Sequence, residues 1–132
     1  MANPVIFESS RNFEYVLIDA LHKSRQCKKH VLVEFGGDWC VWCLRMHKVL
    51  SSGKLKSFIS ENFIHIRCPV SENGSFTYPP ERGKPNVDSV PHFIVLDENG
   101  QIICSQDTPK FEFLWFYKKG ALYEFFEKCA KL

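Results

Sequence analysis

Two of the six cysteines in this 132-residue chain lie close together, Cys40 and Cys43 in the stretch GGDWCVWC. A hydrophobic run, HVLVEF from His30 to Phe35, leads straight into them. Two thiols at this spacing can be a redox couple, half of a metal site, or two inert core residues. Placed between a strand and a helix, the first sulfur lies near the unsatisfied N–H groups and positive end of the helix dipole. Both favour the thiolate, which is the nucleophilic form. The second sulfur is one turn on and can resolve a mixed disulfide by intramolecular attack. A zinc site would want a second pair of ligands, such as another C-x-x-C or an H-x-x-x-H, and neither is present. Cys68 and the histidines suggest no ligand set by their spacing. Covalent haem attachment needs a histidine after the second cysteine, where this chain has Leu44. The context favours redox chemistry, with no cofactor or metal expected.

The elements around the pair follow from periodicity. Val5-Ile6-Phe7 reads as a short edge strand. Ser9 or Ser10 can cap a helix with apolar positions at Phe13, Val16, Leu17, Ala20 and Leu21, closed by Lys28-Lys29. Val31 to Phe35 is a strand, apolar except for Glu34. Helical spacing resumes from Cys40 through Cys43, Leu44, His47 and Leu50. Ser51-Ser52-Gly53 interrupts it before a second short helical segment at Leu55, Phe58 and Ile59. Phe63 to Cys68 alternates as a strand does. Residues 69–89 form a long, turn-rich loop, a length that in a compact domain is usually functional or mobile. Asp97-Glu-Asn-Gly100 between two apolar runs signals a hairpin. Thr108-Pro109 can start a last helix as N-cap and N1, with apolar positions from Phe111 to Phe126 and a weak point at Gly120. The order β-α-β-α-β-loop-β-β-α predicts an α/β layer within a single domain, 1–132.

Composition narrows the function classes. A formal net charge of +2 and scattered lysine pairs give no case for nucleic acid. No apolar run reaches the roughly 18 residues of a membrane helix, and MANPVIFESS lacks the charged and apolar regions of a signal peptide. A chain beginning at a mature N-terminus would look the same. Cys104 and Cys129 fall in apolar runs and read as buried structural thiols, while Cys27 sits in a basic stretch.

VLVEFGGDWCVWC resembles the active-site strand and turn of the thioredoxin superfamily, including the tryptophan before the first cysteine. SVPHFIVLDENGQII resembles that family's cis-proline loop and hairpin. The broken helix LSSGKLKSFISENFIHIR is similar to thioredoxin-like domains of bacterial disulfide-interchange proteins. The aromatic inside the C-x-x-C is similar to DsbH-like periplasmic oxidoreductases. The resemblance implies a thioredoxin-like fold with a mixed central sheet flanked by helices. It also implies roles: Cys40 attacks, Cys43 resolves, and Trp39 packs beside the disulfide. Pro91 is the cis-proline facing it, and the Val90 backbone pairs with an extended substrate segment. Read without the family, Pro91 is an ordinary trans edge proline. Glu34 aligns with the family's buried acid. An acid in an apolar strand is costly unless protonated, paired or useful, and there it could shuttle the proton of Cys43. The alternative places Glu34 at a solvated sheet edge.

The chain also departs from thioredoxin. Val41-Trp42 replaces Gly-Pro, and these side chains are expected to shield the disulfide and touch substrate. Ser52-Gly53 rather than a proline breaks the active-site helix, and the 69–89 loop replaces a helix. Cys68, at the end of the neighbouring strand, reads as a core thiol rather than a third redox partner. The expectation is a thiol–disulfide oxidoreductase, favouring net reduction because no histidine between the cysteines stabilises the thiolate strongly. Its partners would be disulfide-containing proteins and an upstream thiol electron donor, with no nucleic acid, no stable membrane insertion and a monomeric state. The compartment expected is the periplasm, with the cytoplasm as alternative. Other functions are a disulfide oxidase or isomerase, or a redox-inert module that holds a partner with the cis-proline groove and the Phe76–Tyr78 loop.

Overall fold

The computed structural model describes residues 5–132, and in it the apolar run before the two thiols is strand β1 (His30–Gly36). β1 pairs parallel with β2 (Phe63–Pro69) on one side and antiparallel with β3 (His92–Leu96) on the other. β4 (Ile102–Asp107) adds antiparallel to β3, giving the sheet order β2-β1-β3-β4. Helix α1 (Phe13–Cys27) precedes β1, and α2 (Val41–Leu50) and α3 (Gly53–Asn62) connect β1 to β2. A two-stranded ribbon, β5 (Glu112–Phe113) with β6 (Phe116–Tyr117), leads into α4 (Lys119–Ala130). This is the thioredoxin-like arrangement of a mixed sheet flanked by helices.

The two-residue pleat sorts β1 between two cores. Val31, Val33 and Phe35 pack with Phe13, Leu17 and Leu21 of α1. Leu32 faces the other way, with Met46 and Leu50 of α2, Ile59 of α3 and Phe126 of α4. Glu34 shares the pleat of Leu32 and so enters that second, helix-covered face. Each fully buried Leu or Phe contributes about 1.5–3 kcal/mol of hydrophobic stabilisation, so both layers hold β1 firmly.

The sequence places α1 well but not its cap. Asn12, not Ser9 or Ser10, accepts the Glu14 N–H, because the helix begins at Phe13. Lys28 closes it in a left-handed conformation, φ 56°. Ser52-Gly53 separates α2 from α3 as expected, with Ser52 as N-cap.

Two expectations fail. Residues 5–7 form no strand. The Ile6 and Phe7 amides instead donate to the Asp38 carboxylate at 3.1 and 3.2 Å, so a side chain takes the bonds a strand neighbour would have made. The final helix does not start at Thr108. Pro109–Phe111 is a single 3-10 turn, Leu114 turns left-handed (φ 55°), and the β5–β6 hairpin follows. The Thr108 hydroxyl, expected to cap a helix, donates to the Pro91 carbonyl at 2.8 Å. Gly120 therefore falls in the first turn of α4 rather than mid-helix, where its helix cost would be felt.

Candidate redox site at the end of the central strand

β1 delivers the chain to the sheet edge, and two glycines let it turn there. A Cβ on Gly36 would sit 2.6 Å from the Phe7 ring and 2.8 Å from Cys43 Sγ. One on Gly37 would sit 2.1 Å from Trp39 Nε1. Only hydrogen at these two positions lets the Trp39 ring and the Cys43 sulfur approach the backbone so closely. Asp38, by holding residues 6 and 7, draws Phe7 over the pair, where it is buried with Cys40 and Cys43.

Cys40 is the N-cap of α2 (φ −96°, ψ 115°), and its sulfur accepts the Cys43 N–H at 3.2 Å. Cys40 is 8% exposed and Cys43 0%. Both thiols are free. Hydrogen bonding from Cys43, first from its side chain and then, against the opposing effect of burial, from backbone N–H groups of the first helical turn, lowers the Cys40 pKa to about 7. Cys43 is driven upward, first because its thiol serves the Cys40 sulfur and then because it is buried. The arrangement holds a thiolate at the outer sulfur and a proton at the inner one.

Across the mouth, the Val90–Pro91 peptide is cis, and the Val90 carbonyl oxygen lies 3.9 Å from Cys40 Sγ. The Thr108 hydroxyl, just past the end of β4, anchors this loop, and His92, just beyond it, meets the Ser105 hydroxyl at 2.8 Å. Trp39 is 45% exposed, its indole N–H donating to the Val70 carbonyl at 2.8 Å. Val41 is 56% exposed and stands at the rim. The half-buried ring of Trp42 packs against the cluster of Phe7, Cys40 and Cys43 and edge-on against Tyr117 (4.9 Å between centroids), with the Arg45 guanidinium 4.8 Å from its face. The Tyr117 hydroxyl donates to the Trp42 carbonyl at 3.3 Å. Trp42 thus packs on the Cys40–Cys43 cluster and also joins the β5–β6 hairpin to it.

Glu34 is fully buried, which removes the solvated-edge alternative. It is also paired. His65 Nε2 lies 2.9 Å and Arg67 Nε 3.4 Å from the same carboxylate oxygen, both reaching in from β2, where Arg67 is the register partner of Glu34. The other carboxylate oxygen has no protein partner. Glu34 is close enough to Cys43 for its charge to add to the upward push on that thiol.

Cys68 lies on the opposite sheet face, among Phe35, Val70 and Tyr78, and burial pushes its pKa up to about 12. The structure thus separates it from the Cys40–Cys43 pair. The aromatic rings of Phe76 and Tyr78 turn toward the core: they meet Phe35 edge-on and tilted, with centroids 5.2 and 6.5 Å away, and Tyr78 is buried. Those side chains pin the long loop to the core and leave no exposed aromatic surface at Tyr78 for a partner. Among the described residues no three His, Cys, Asp or Glu side chains converge as metal ligands.

Several neighbours of the site escape a reading of the sequence. His65 and Arg67 alternate with Ile64 and Ile66, and polar residues beside an acid-bearing strand are a usable signal for an internal ion pair. Phe113-Leu-Trp-Phe116 is a four-residue apolar run at the hairpin tip, exposed at every position, with Trp115 at 68%. A run of contiguous exposed apolar residues is the kind of surface that serves for interaction. Nothing in the sequence pairs Phe7 with Cys43 or Thr108 with Pro91.

Residues 14–98 match the family model described as thioredoxin-like. A thiol:disulfide interchange protein TxlA homolog from Synechocystis is 38% identical over 73 residues, which is 55% of this chain and 38% of that protein. The chain therefore corresponds to well under half of that relative's length. Among solved structures, a disulphide isomerase from Xylella fastidiosa superposes with TM-score 0.77 at 19% identity, covering 96% of this chain and 98% of that one. A DsbH oxidoreductase superposes with TM-score 0.64 at 22% identity, covering 99% and 88%.

Proposed function

We propose, for a chain that belongs to the thioredoxin-like family, that residues 1–132 act as one thioredoxin-like domain that reduces protein disulfides through Cys40. The observation that carries this reading is the Cys43 N–H on the Cys40 sulfur at the mouth of a cis-proline loop. It supports a thiolate at the outer cysteine and a reserve thiol behind it. The Cys40 thiolate attacks one sulfur of a substrate disulfide. The substrate S–S bond breaks, the Cys40–substrate bond forms, and the other substrate sulfur leaves and takes a proton. Cys43 then loses its proton, attacks Cys40 Sγ, and expels the second substrate thiol. The substrate has gained two electrons and two protons, and the chain holds a Cys40–Cys43 disulfide that an upstream dithiol donor must reduce.

Glu34 is the group proposed to accept the Cys43 proton at the resolving step, through its unpartnered oxygen. His65 and Arg67 hold the carboxylate in place. Trp39, Val41, the Val90 backbone and Pro91 would line an extended substrate segment, with the Trp42-backed hairpin beside them. Net reduction is favoured because a Cys40 pKa of about 7 is that of a moderately stabilised thiolate, whereas strong oxidants stabilise it far more. An extracytoplasmic compartment is supported by the likeness to disulfide-interchange proteins. No helix among the described residues is long and apolar enough to cross a membrane. Reduction of insulin disulfides with dithiothreitol as donor tests the activity. A chain that does not accelerate it, yet binds unfolded protein, is a redox-inert module.

A further inference from the structure

Away from that mouth lies a second pair of thiols. Cys104 is on edge strand β4, in register with Val95, and Cys129 is in the last turn of α4, which covers the same sheet face. The Cys129 thiol donates to the Cys104 sulfur at 3.4 Å. A disulfide requires about 2.05 Å between sulfurs, so closing the gap takes roughly 1.4 Å of side-chain movement. The two residues stand 25 positions apart and come together only when α4 packs on β4. Cys104 is half-buried and opens onto a shallow cleft lined by Gln106, Lys110, Lys128 and Phe125. The hydrogen bond from Cys129, with help from Lys110 and against burial, brings the Cys104 pKa down to about 7. Cys129, as donor and buried, is pushed up. Cys104 is thus the thiol able to attack and Cys129 the one able to resolve.

We propose that Cys104 and Cys129 form a second, reversible dithiol–disulfide site that low-molecular-weight disulfides oxidise. The Cys104 thiolate attacks the small disulfide. Its S–S bond breaks, Cys104 becomes a mixed disulfide, and one small thiol leaves with a proton. Cys129 gives up its proton, attacks Cys104 Sγ and releases the second small thiol. Two protein thiols are oxidised and one small disulfide is reduced to two thiols. The bond staples the edge strand to the C-terminal helix and closes a loop that contains the exposed 113–116 hairpin tip.

The test is peptide mapping under non-reducing conditions after equilibration with glutathione disulfide. It is run on the unsubstituted chain and on the Cys40→Ala/Cys43→Ala chain. The expected result in both is a 104–129 linked peptide. In the double variant, the melting temperature should rise on the order of 5–10 °C above the dithiothreitol-treated protein. Adding Cys104→Ser should remove both the link and the shift. Glutathione persisting on Cys104 without resolution, both thiols remaining free, or Cys104 pairing elsewhere in the unsubstituted chain overturns the proposal. Because the double variant lacks the first pair, failure here is separate from failure of insulin reduction.

Discussion

Cys40 takes its hydrogen bonds at the first turn of a helix, whereas Cys104 takes one from Cys129 across the gap between a strand and a helix end. Each pair places an acidic thiol ahead of a buried, proton-holding one. Their surroundings differ. Cys40 caps α2, where aligned peptide dipoles favour negative charge, and it faces a cis-proline loop and exposed Val41 and Trp39. Cys129 ends α4, where the dipole disfavours a thiolate, and Cys104 opens onto a cleft lined by β4, the Pro109–Phe111 turn and α4. The lesson is that a low thiol pKa is local and can arise wherever two sulfurs meet. Turnover on protein substrates needs, besides that, a helix start and a backbone that can receive an extended chain.

The comparison is broken most directly by removing the nucleophiles. Cys40→Ala should lower the rate of insulin reduction on the order of 10³-fold or more, whereas Cys104→Ala should leave it within about twofold. Cys43→Ala should trap substrates on Cys40 as dithiothreitol-sensitive adducts on a non-reducing gel, and Cys40→Ala should trap almost none. Equal trapping by both single variants would contradict the division of roles.

The pH dependence of alkylation sharpens the contrast next. With a pKa of about 7, Cys40 is mostly thiolate above that pH. Its iodoacetamide rate should be flat above about pH 8 and fall about tenfold per pH unit well below 7. Cys104, half-buried at its own cleft, should show a similar midpoint, and Cys68, pushed to about 12, should stay unlabelled. Labelling of Cys68 in step with Cys40 would place it in the redox site.

Glu34→Leu separates structure from proton transfer. A buried acid without partners would be dispensable for stability, but His65 and Arg67 lose their counter-charge here. We expect a loss of about 1–3 kcal/mol, moderated because both partners reach partly into solvent, read by urea denaturation. Glu34→Gln should fold better and slow the resolving step most near neutral pH. Wild-type turnover at every pH would remove Glu34 from the mechanism. The smallest effect is assigned to Cys68→Ala: about 1 kcal/mol of stability from the small cavity and unchanged insulin reduction.

Local pattern was enough for α1, for β1 to β4, for the break at Ser52-Gly53, and for the Asp97–Gly100 turn, because each rests on periodicity or a turn residue within a few positions. The redox role proposed for the C-x-x-C rests on equally local signals: a strand running into a helix start stabilises a thiolate using groups adjacent in the chain. The hairpin at 112–117 was hidden because Phe111, Leu114 and Trp115 also fit a helical stripe, and only the left-handed Leu114 together with Thr108 binding Pro91 decides against it. The partners of Glu34, the cover of Phe7 over Cys43 and the meeting of Cys104 with Cys129 span 25 to 36 residues of chain. Contacts of that kind depend on which sheet face and which helix end coincide after packing, and no spacing in the sequence encodes that coincidence.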